Sequence, residues 1–126
     1  MSTHNRGRIT WIDLTVQDAP LIRDFYQQVV GWSSQAVDVE DYQDYNMIRS
    51  GNEPVAGICH KRGGNANLPA QWMIYIEVEN LDDSLNACER LGGSVVVPPR
   101  GTPGNRFVII QDPAGAVCAL YEHHVD

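Results

Sequence analysis

The side chains able to do chemistry fall in two short stretches, Trp11 to Thr15 and Met73 to Glu77, which stand 62 positions apart. Each stretch has strand character, so alternate residues point the same way: Trp11, Asp13 and Thr15 in the first, Met73, Tyr75 and Glu77 in the second. Two carboxylates and a phenol are the ingredients of acid–base catalysis. Asp13 or Glu77 would take a proton and Tyr75 would return one, as a metal-free enolisation or epimerisation requires. The same groups can instead hold an organic ligand, the rings supplying stacking area and the carboxylates attracting a cation. The plainer alternatives are a Trp11 that packs a strand end and carboxylates that are solvated or hydrogen-bonded at a dimer interface.

What must position these residues is a repeat. Sliding the chain on itself by 62 residues pairs Ile12 with Ile74, Leu14 with Ile76, Val16 with Val78, Asp18 with Asn80 and Gly31 with Gly93. In each copy an alternating strand, Ile9 to Val16 or Gln71 to Val78, meets a capping residue, Asp18 or Asn80, and then a helix. The first helix is expected to bury Leu21, Ile22, Phe25, Tyr26, Val29 and Val30; the second uses Leu81, Leu85, Cys88 and Leu91. Gly31 and Gly93 are expected to end them, because glycine enters the left-handed region without strain.

Short apolar runs separated by turn residues then predict three strands per copy. They are Ser33 to Val39, Tyr45 to Arg49 and Val55 to His60, then Ser94 to Val97, Arg106 to Ile110 and Ala116 to Tyr121. The fold class expected is α+β: two βαβββ modules, about 8–61 and 71–122, joined by a polar linker, about 62–70. Neither module has apolar residues enough to stand alone. The two are therefore expected to form a single domain over 1–126, with one curved mixed sheet, helices outside and a concave cup within.

With 126 residues and a formal charge of −7, the chain suits one acidic globular domain. That charge argues against a nucleic-acid partner and favours a cationic or neutral small molecule. No stretch reaches the roughly 20 apolar residues that span a bilayer, and MSTHNRGRIT lacks the apolar run of a secretion signal, so a cytoplasmic protein is expected. Cys59, Cys88 and Cys118 form no CxxC pair and are read as buried free thiols.

The phrases TVQDAPLIRDFYQQVVGW, VENLDDSLNACERLGGSVVVPP and RFVIIQDPAGAVCALYE together resemble the vicinal oxygen chelate superfamily. It holds glyoxalase I, extradiol dioxygenases, fosfomycin-resistance enzymes and bleomycin-resistance proteins, and the likeness, closest to a glyoxalase-like subgroup, covers nearly the whole chain. In catalytic members of that superfamily, paired modules present His, Gln or Glu to one divalent metal on the concave face. Carried over residue by residue, the usual ligand positions fall on Trp11, Gly57, Met73 and Ala119, none of which offers an oxygen or imidazole donor. A register slip of one residue would bring in Ile58, Cys118 or Leu120 and turn those side chains to the other face.

The resemblance therefore implies a small-molecule-binding protein, a homodimer, whose metal-free cup sequesters a toxic or antibiotic compound. Its ligand contacts are expected from Trp11, Asp13, Met73, Tyr75, Glu77, Tyr45 and Phe107, with Asp13, Glu77 and Tyr75 as the candidates for any catalysis. The rival is a lyase, isomerase or dioxygenase that uses one divalent metal such as Zn, Ni, Mn or Fe. Tyr45, Met47, Phe107 and Ile109 alternate on the third strands, where core packing competes with pocket lining. His4, His123 and His124 are read as solvent-facing residues without a role; His60, next to Cys59 at a strand end, would ligate a metal at the cup rim only if it were the one of the two that faces inward.

Overall fold

The computed structural model describes residues 6–39 and 41–124; His4 lies outside them. The chain divides into two compact units, Trp11–Trp72 and Met73–Asp126 with the segment up to Thr10. The boundary crosses the first strand, because residues just before Thr10 pair with the second unit: Gly7 N donates to Glu77 O and Glu77 N to Arg8 O.

The first unit holds β1 (Ile9–Val16), α1 (Ala19–Val30), β2 (Ser33–Val39), β3 (Tyr42–Arg49) and β4 (Glu53–His60). Its strands lie in the order β2-β3-β4-β1, with β1 parallel to β4 and the other pairs antiparallel. In the second unit β5 (Trp72–Val78) precedes α2 (Leu81–Arg90), β6 (Ser94–Thr102), β7 (Asn105–Gln111) and β8 (Val117–His123). The order is β5-β8-β7-β6, with β5 parallel to β8. Both units are thus βαβββ and the class is α+β, as the repeat predicts. No helix is long and apolar enough to cross a membrane among the described residues.

The helix starts form as their caps predict. Asp18 Oδ1 accepts from Leu21 N at 3.2 Å, and Asn80 Oδ1 accepts from Asp83 N at 3.0 Å. Gly31 closes α1 with φ +86°. The end of α2 corrects the expectation: Gly92, at φ +96°, takes the left-handed turn. Gly93 is needed for another reason, since a Cβ there would lie 2.6 Å from Cys88 Sγ and 3.0 Å from Gln111 O.

Each helix covers one side of its own sheet. In the first unit Ala19, Tyr45, Met47 and Ile58 are buried, with Ile22, Tyr26, Trp32 and Trp72 packed on them. Trp72 Nε1 donates to Tyr26 Oη at 3.1 Å, which satisfies the indole inside this aromatic group. In the second unit Leu81, Val108 and Leu120 are packed by Ile76, Val78, Leu85, Ile110 and Cys118. Each fully buried side chain, such as Met47 or Ile58, contributes roughly 1.5–3 kcal/mol.

The apolar face of α1 is wider than its sheet covers. Ile22 and Tyr26 pack, whereas Leu21, Phe25 and Val29, at 61, 53 and 64 % exposure, form a row on the outside. That row is one residue, about 100°, around the helix from the packed one. Leu91, expected on the packed face of α2, is likewise exposed.

Candidate functional site

The candidate residues lie on the helix-free face of each unit. In the first, Trp11 and Asp13 alternate along β1, and Asp13 pairs with Gly57 of β4. Trp11 Nε1 donates to Asp13 Oδ1 at 2.6 Å. The carboxylate occupies the space that a side chain at 57 would take: a Cβ on Gly57 would come 2.2 Å from Asp13 Oδ1 and 3.4 Å from Trp11 Nε1. Thr15, two residues on from Asp13, is buried and pairs with Cys59. Burial first, then the charges of Asp13 and Asp44 and a hydrogen bond to Asp44, push the Cys59 thiol far above its ordinary range. This face is therefore acidic, with one indole beside it.

Asp44 was not among the residues singled out from sequence, and Tyr45 was. The structure sets Tyr45 in the core beneath α1 with Met47 and Ile58, on the opposite side of the sheet from Trp11 and Asp13. The cause is one extra residue in the β3–β4 hairpin. Tyr45 pairs with Ile58, and its structural counterpart is Val108, which pairs with Leu120. The 62-residue offset becomes 63 in this strand, and a slip of one exchanges the faces. A register shift between Met47 and Ile48 marks the irregularity.

Asp44 also accepts from His60 N at 2.8 Å and lies 3.2 Å from His60 Nδ1. His60 rests against the rings of Tyr42 and Tyr45, with centroids 5.4 and 6.3 Å away.

In the second unit Met73, Tyr75 and Glu77 alternate along β5 as expected, and Tyr75 pairs with Ala119 and Glu77 with Tyr121. Met73, Glu77 and Ala119 are buried. Phe107 lies opposite Tyr121, and its ring is 6.3 Å from that of Tyr75. The Arg100 guanidinium sits over Phe107, 4.7 Å from the ring centroid. The Tyr121 phenol is pushed above its ordinary value by burial, then by the Glu77 charge and a hydrogen bond to that carboxylate; a hydrogen bond from Thr10 opposes the shift.

Tyr121 and Arg100 are the residues that sequence reasoning missed here. Two residues beyond Ala119 on one strand must share its face, so Tyr121 was within reach of the alternation argument. Arg100 lies beyond Val97, where the strand is expected to end, whereas β6 runs on to Thr102.

The buried Glu122 has a different task. Its Oε2 accepts from Leu81 N at 2.8 Å and so serves the start of α2. His123 and His124 are exposed, and His124 Nε2 lies 2.8 Å from Glu79 O.

The resemblance carries the superfamily's metal ligands to four positions of this chain. They hold an indole, a glycine, a buried thioether and a buried methyl group, and among the described residues no three His, Cys, Asp or Glu come together in a way that could hold a metal ion. That set does not fit a divalent cation of the oxygen- and nitrogen-seeking kind.

Residues 8–120 match the family model described as Glyoxalase/Bleomycin resistance protein/Dioxygenase superfamily. CFP32 of Mycobacterium tuberculosis, which carries a glyoxylase name, is 27 % identical over 115 residues, covering 90 % of this chain and 43 % of its own. The anthracycline biosynthesis protein DnrV of Streptomyces peucetius is 28 % identical over 116 residues, 92 % of this chain and 42 % of its own. The chain thus spans less than half the length of these curated relatives. Among solved structures, methylmalonyl-CoA epimerase of Streptomyces coelicolor in complex with 2-nitronate-propionyl-CoA superposes with a TM-score of 0.57 at 15 % identity, covering 95 % of this chain and 99 % of that one. The Mycobacterium tuberculosis methylmalonyl-CoA epimerase gives 0.56 at 17 %, covering 99 and 93 %. These structures share the fold.

Proposed function

We propose that this chain, which belongs to the Glyoxalase/Bleomycin resistance protein/Dioxygenase superfamily, binds an organic small molecule without a metal ion, and that its task is to sequester a toxic or antibiotic compound. The observation that carries this reading is the residue set at the superfamily's ligand positions, Trp11, Gly57, Met73 and Ala119, with Asp13 folded over Gly57 where a metal-binding side chain would need room. What remains on the helix-free faces is recognition chemistry. Rings of Trp11, Tyr75, Phe107 and Tyr121 give stacking area, and Asp13, Glu77 and Arg100 give fixed charge. The relatives named for anthracycline biosynthesis support an organic ligand. A homodimer in the cytoplasm completes the proposal.

The rival is a metal-dependent lyase, isomerase or dioxygenase, favoured by the glyoxylase name of CFP32. A metal-free acid–base enzyme is a further alternative, in which Glu77 would take a substrate proton and the Tyr121 phenol beside it would return one. The separating experiment is a thermal-shift screen of aromatic and cationic compounds, run with and without EDTA. Ligand-induced rises in Tm that EDTA leaves unchanged support metal-free binding. Rises that vanish with EDTA and return with added Zn, Ni, Mn or Fe would reverse the choice. Light scattering on the same sample reads the oligomeric state.

A further inference from the structure

On the helix-free face of the second unit, three rings on neighbouring strands lie beside the Arg100 guanidinium. Tyr75, Phe107 and Tyr121 stand on the three adjacent strands β5, β7 and β8. The ring of His123 adds to the row, 6.3 Å from Tyr121 at an interplanar angle of 30°. Arg100, on β6, is paired with Phe107 in the strand register, and its guanidinium lies over the Phe107 ring.

This placement is held by the backbone. Gly101, at φ +114°, follows Arg100, and a Cβ there would lie 2.3 Å from Asn105 O and 3.1 Å from Arg106 Cα, so β6 and β7 approach closely only because residue 101 is glycine. The Nε of Arg100 is buried. A guanidinium is a planar fork of N–H groups, the shape that grips a carboxylate. Glu77, the acid on this face, is buried and hydrogen-bonded to the Tyr121 phenol.

We infer that this face takes a planar aromatic molecule bearing an anionic group, a carboxylate or phenolate, with Arg100 as the residue that reads the charge. The inference rests on the proposal that the helix-free faces bind organic ligands, and it names the ligand class for one of them. The rings stack on the plane of the ligand and Arg100 selects its substituent. The net charge of −7 slows the arrival of an anion, but pairing at contact is governed by the partly desolvated guanidinium. The face of the first unit, with Asp13, Asp44 and Trp11, has the opposite sign, so an amine is the natural counter-probe.

The test is calorimetric titration at fixed ionic strength with 2-naphthoate, the neutral 2-naphthylmethanol and 2-naphthylmethylamine. Three proteins are compared: the unaltered chain, Arg100→Gln and Arg100→Lys. The expected result is that naphthoate binds about tenfold more tightly than the alcohol, the gain of one charge-assisted pair. Arg100→Gln should bring naphthoate to the level of the alcohol, so that the ratio of the two affinities falls from about tenfold to about one. Arg100→Lys, which keeps the charge without the fork, should fall between, and serves if Arg100→Gln does not fold.

Equal binding of naphthoate and alcohol, preference for the amine, or indifference of naphthoate to Arg100→Gln would overturn the anion reading and leave ligand binding by this face standing. Failure of all three probes with the folded protein would remove both.

Discussion

Trp11 Nε1 donates to Asp13 Oδ1 at 2.6 Å, and the pair closes over the α-carbon of Gly57. A half-buried carboxylate is thereby held by an indole over one of the four positions to which the superfamily resemblance carries metal ligands. The relationship predicts a coupling between positions 13 and 57. Gly57→Ala should displace the carboxylate, break this hydrogen bond and destabilise the protein by about 1 kcal/mol. In an Asp13→Ala background the same change should cost much less. Denaturant melts of the four proteins form the double-mutant cycle, and equal costs in both backgrounds would show that Asp13 does not hold the space.

Trp11, Asp13, Met73, Tyr75 and Glu77 were legible as residues of the helix-free faces, because the period of a strand and one capping residue set their phase. The side of Tyr45 was not legible, because a constant 62-residue offset hides a one-residue change in hairpin length, and such a change reverses the face. Leu21, Phe25 and Val29 show a second limit. Apolar residues on adjacent rows of a helix look like one broad face in sequence, while the sheet beneath covers only one of them. Asp44 and Arg100 became visible only through pairing registers.

Tyr121 gives a prediction in the alkaline range. Its phenol titrates higher in the folded protein than in the unfolded chain, so the folded state retains the proton as pH rises past the ordinary tyrosine value. The stabilisation is complete below the unfolded pKa and is lost as pH climbs from there through the folded pKa. Tyr121→Phe should flatten that alkaline decline. It should also cost about 1–2 kcal/mol at neutral pH, because Glu77 loses a donor while staying buried. Tm measured from pH 7 to 11 reads both, and an unchanged alkaline limb would contradict the pairing.

The Cys59 thiol is held protonated by burial and by Asp13 and Asp44. Since the thiolate is the reactive form, Cys59 should resist a disulfide reagent at pH 8 in the native protein and react fully in urea. Comparison with Cys59→Ala identifies the slow thiol. A native reaction that is fast and lost in Cys59→Ala would mean that the two carboxylates do not bear on it.

Glu122 ties β8 to the first turn of α2 through Leu81 N, and its Oε1 lies 3.7 Å from Arg106 Nε. Glu122→Ala should destabilise the protein by about 2 kcal/mol, as removal of a buried charged acceptor does. Glu122→Gln, which keeps an acceptor for Leu81 N, should cost less. Chemical denaturation orders the two variants, and the reverse order would count against the capping role.

Elemental analysis of the purified, untagged protein is the most direct test of the central claim. The sample is incubated with Mn, Fe, Ni and Zn and desalted before measurement. Metal far below one equivalent per chain is the result that Trp11, Gly57, Met73 and Ala119 predict. Retention near one equivalent would contradict metal-free binding and return the protein to the metal-dependent branch of its superfamily.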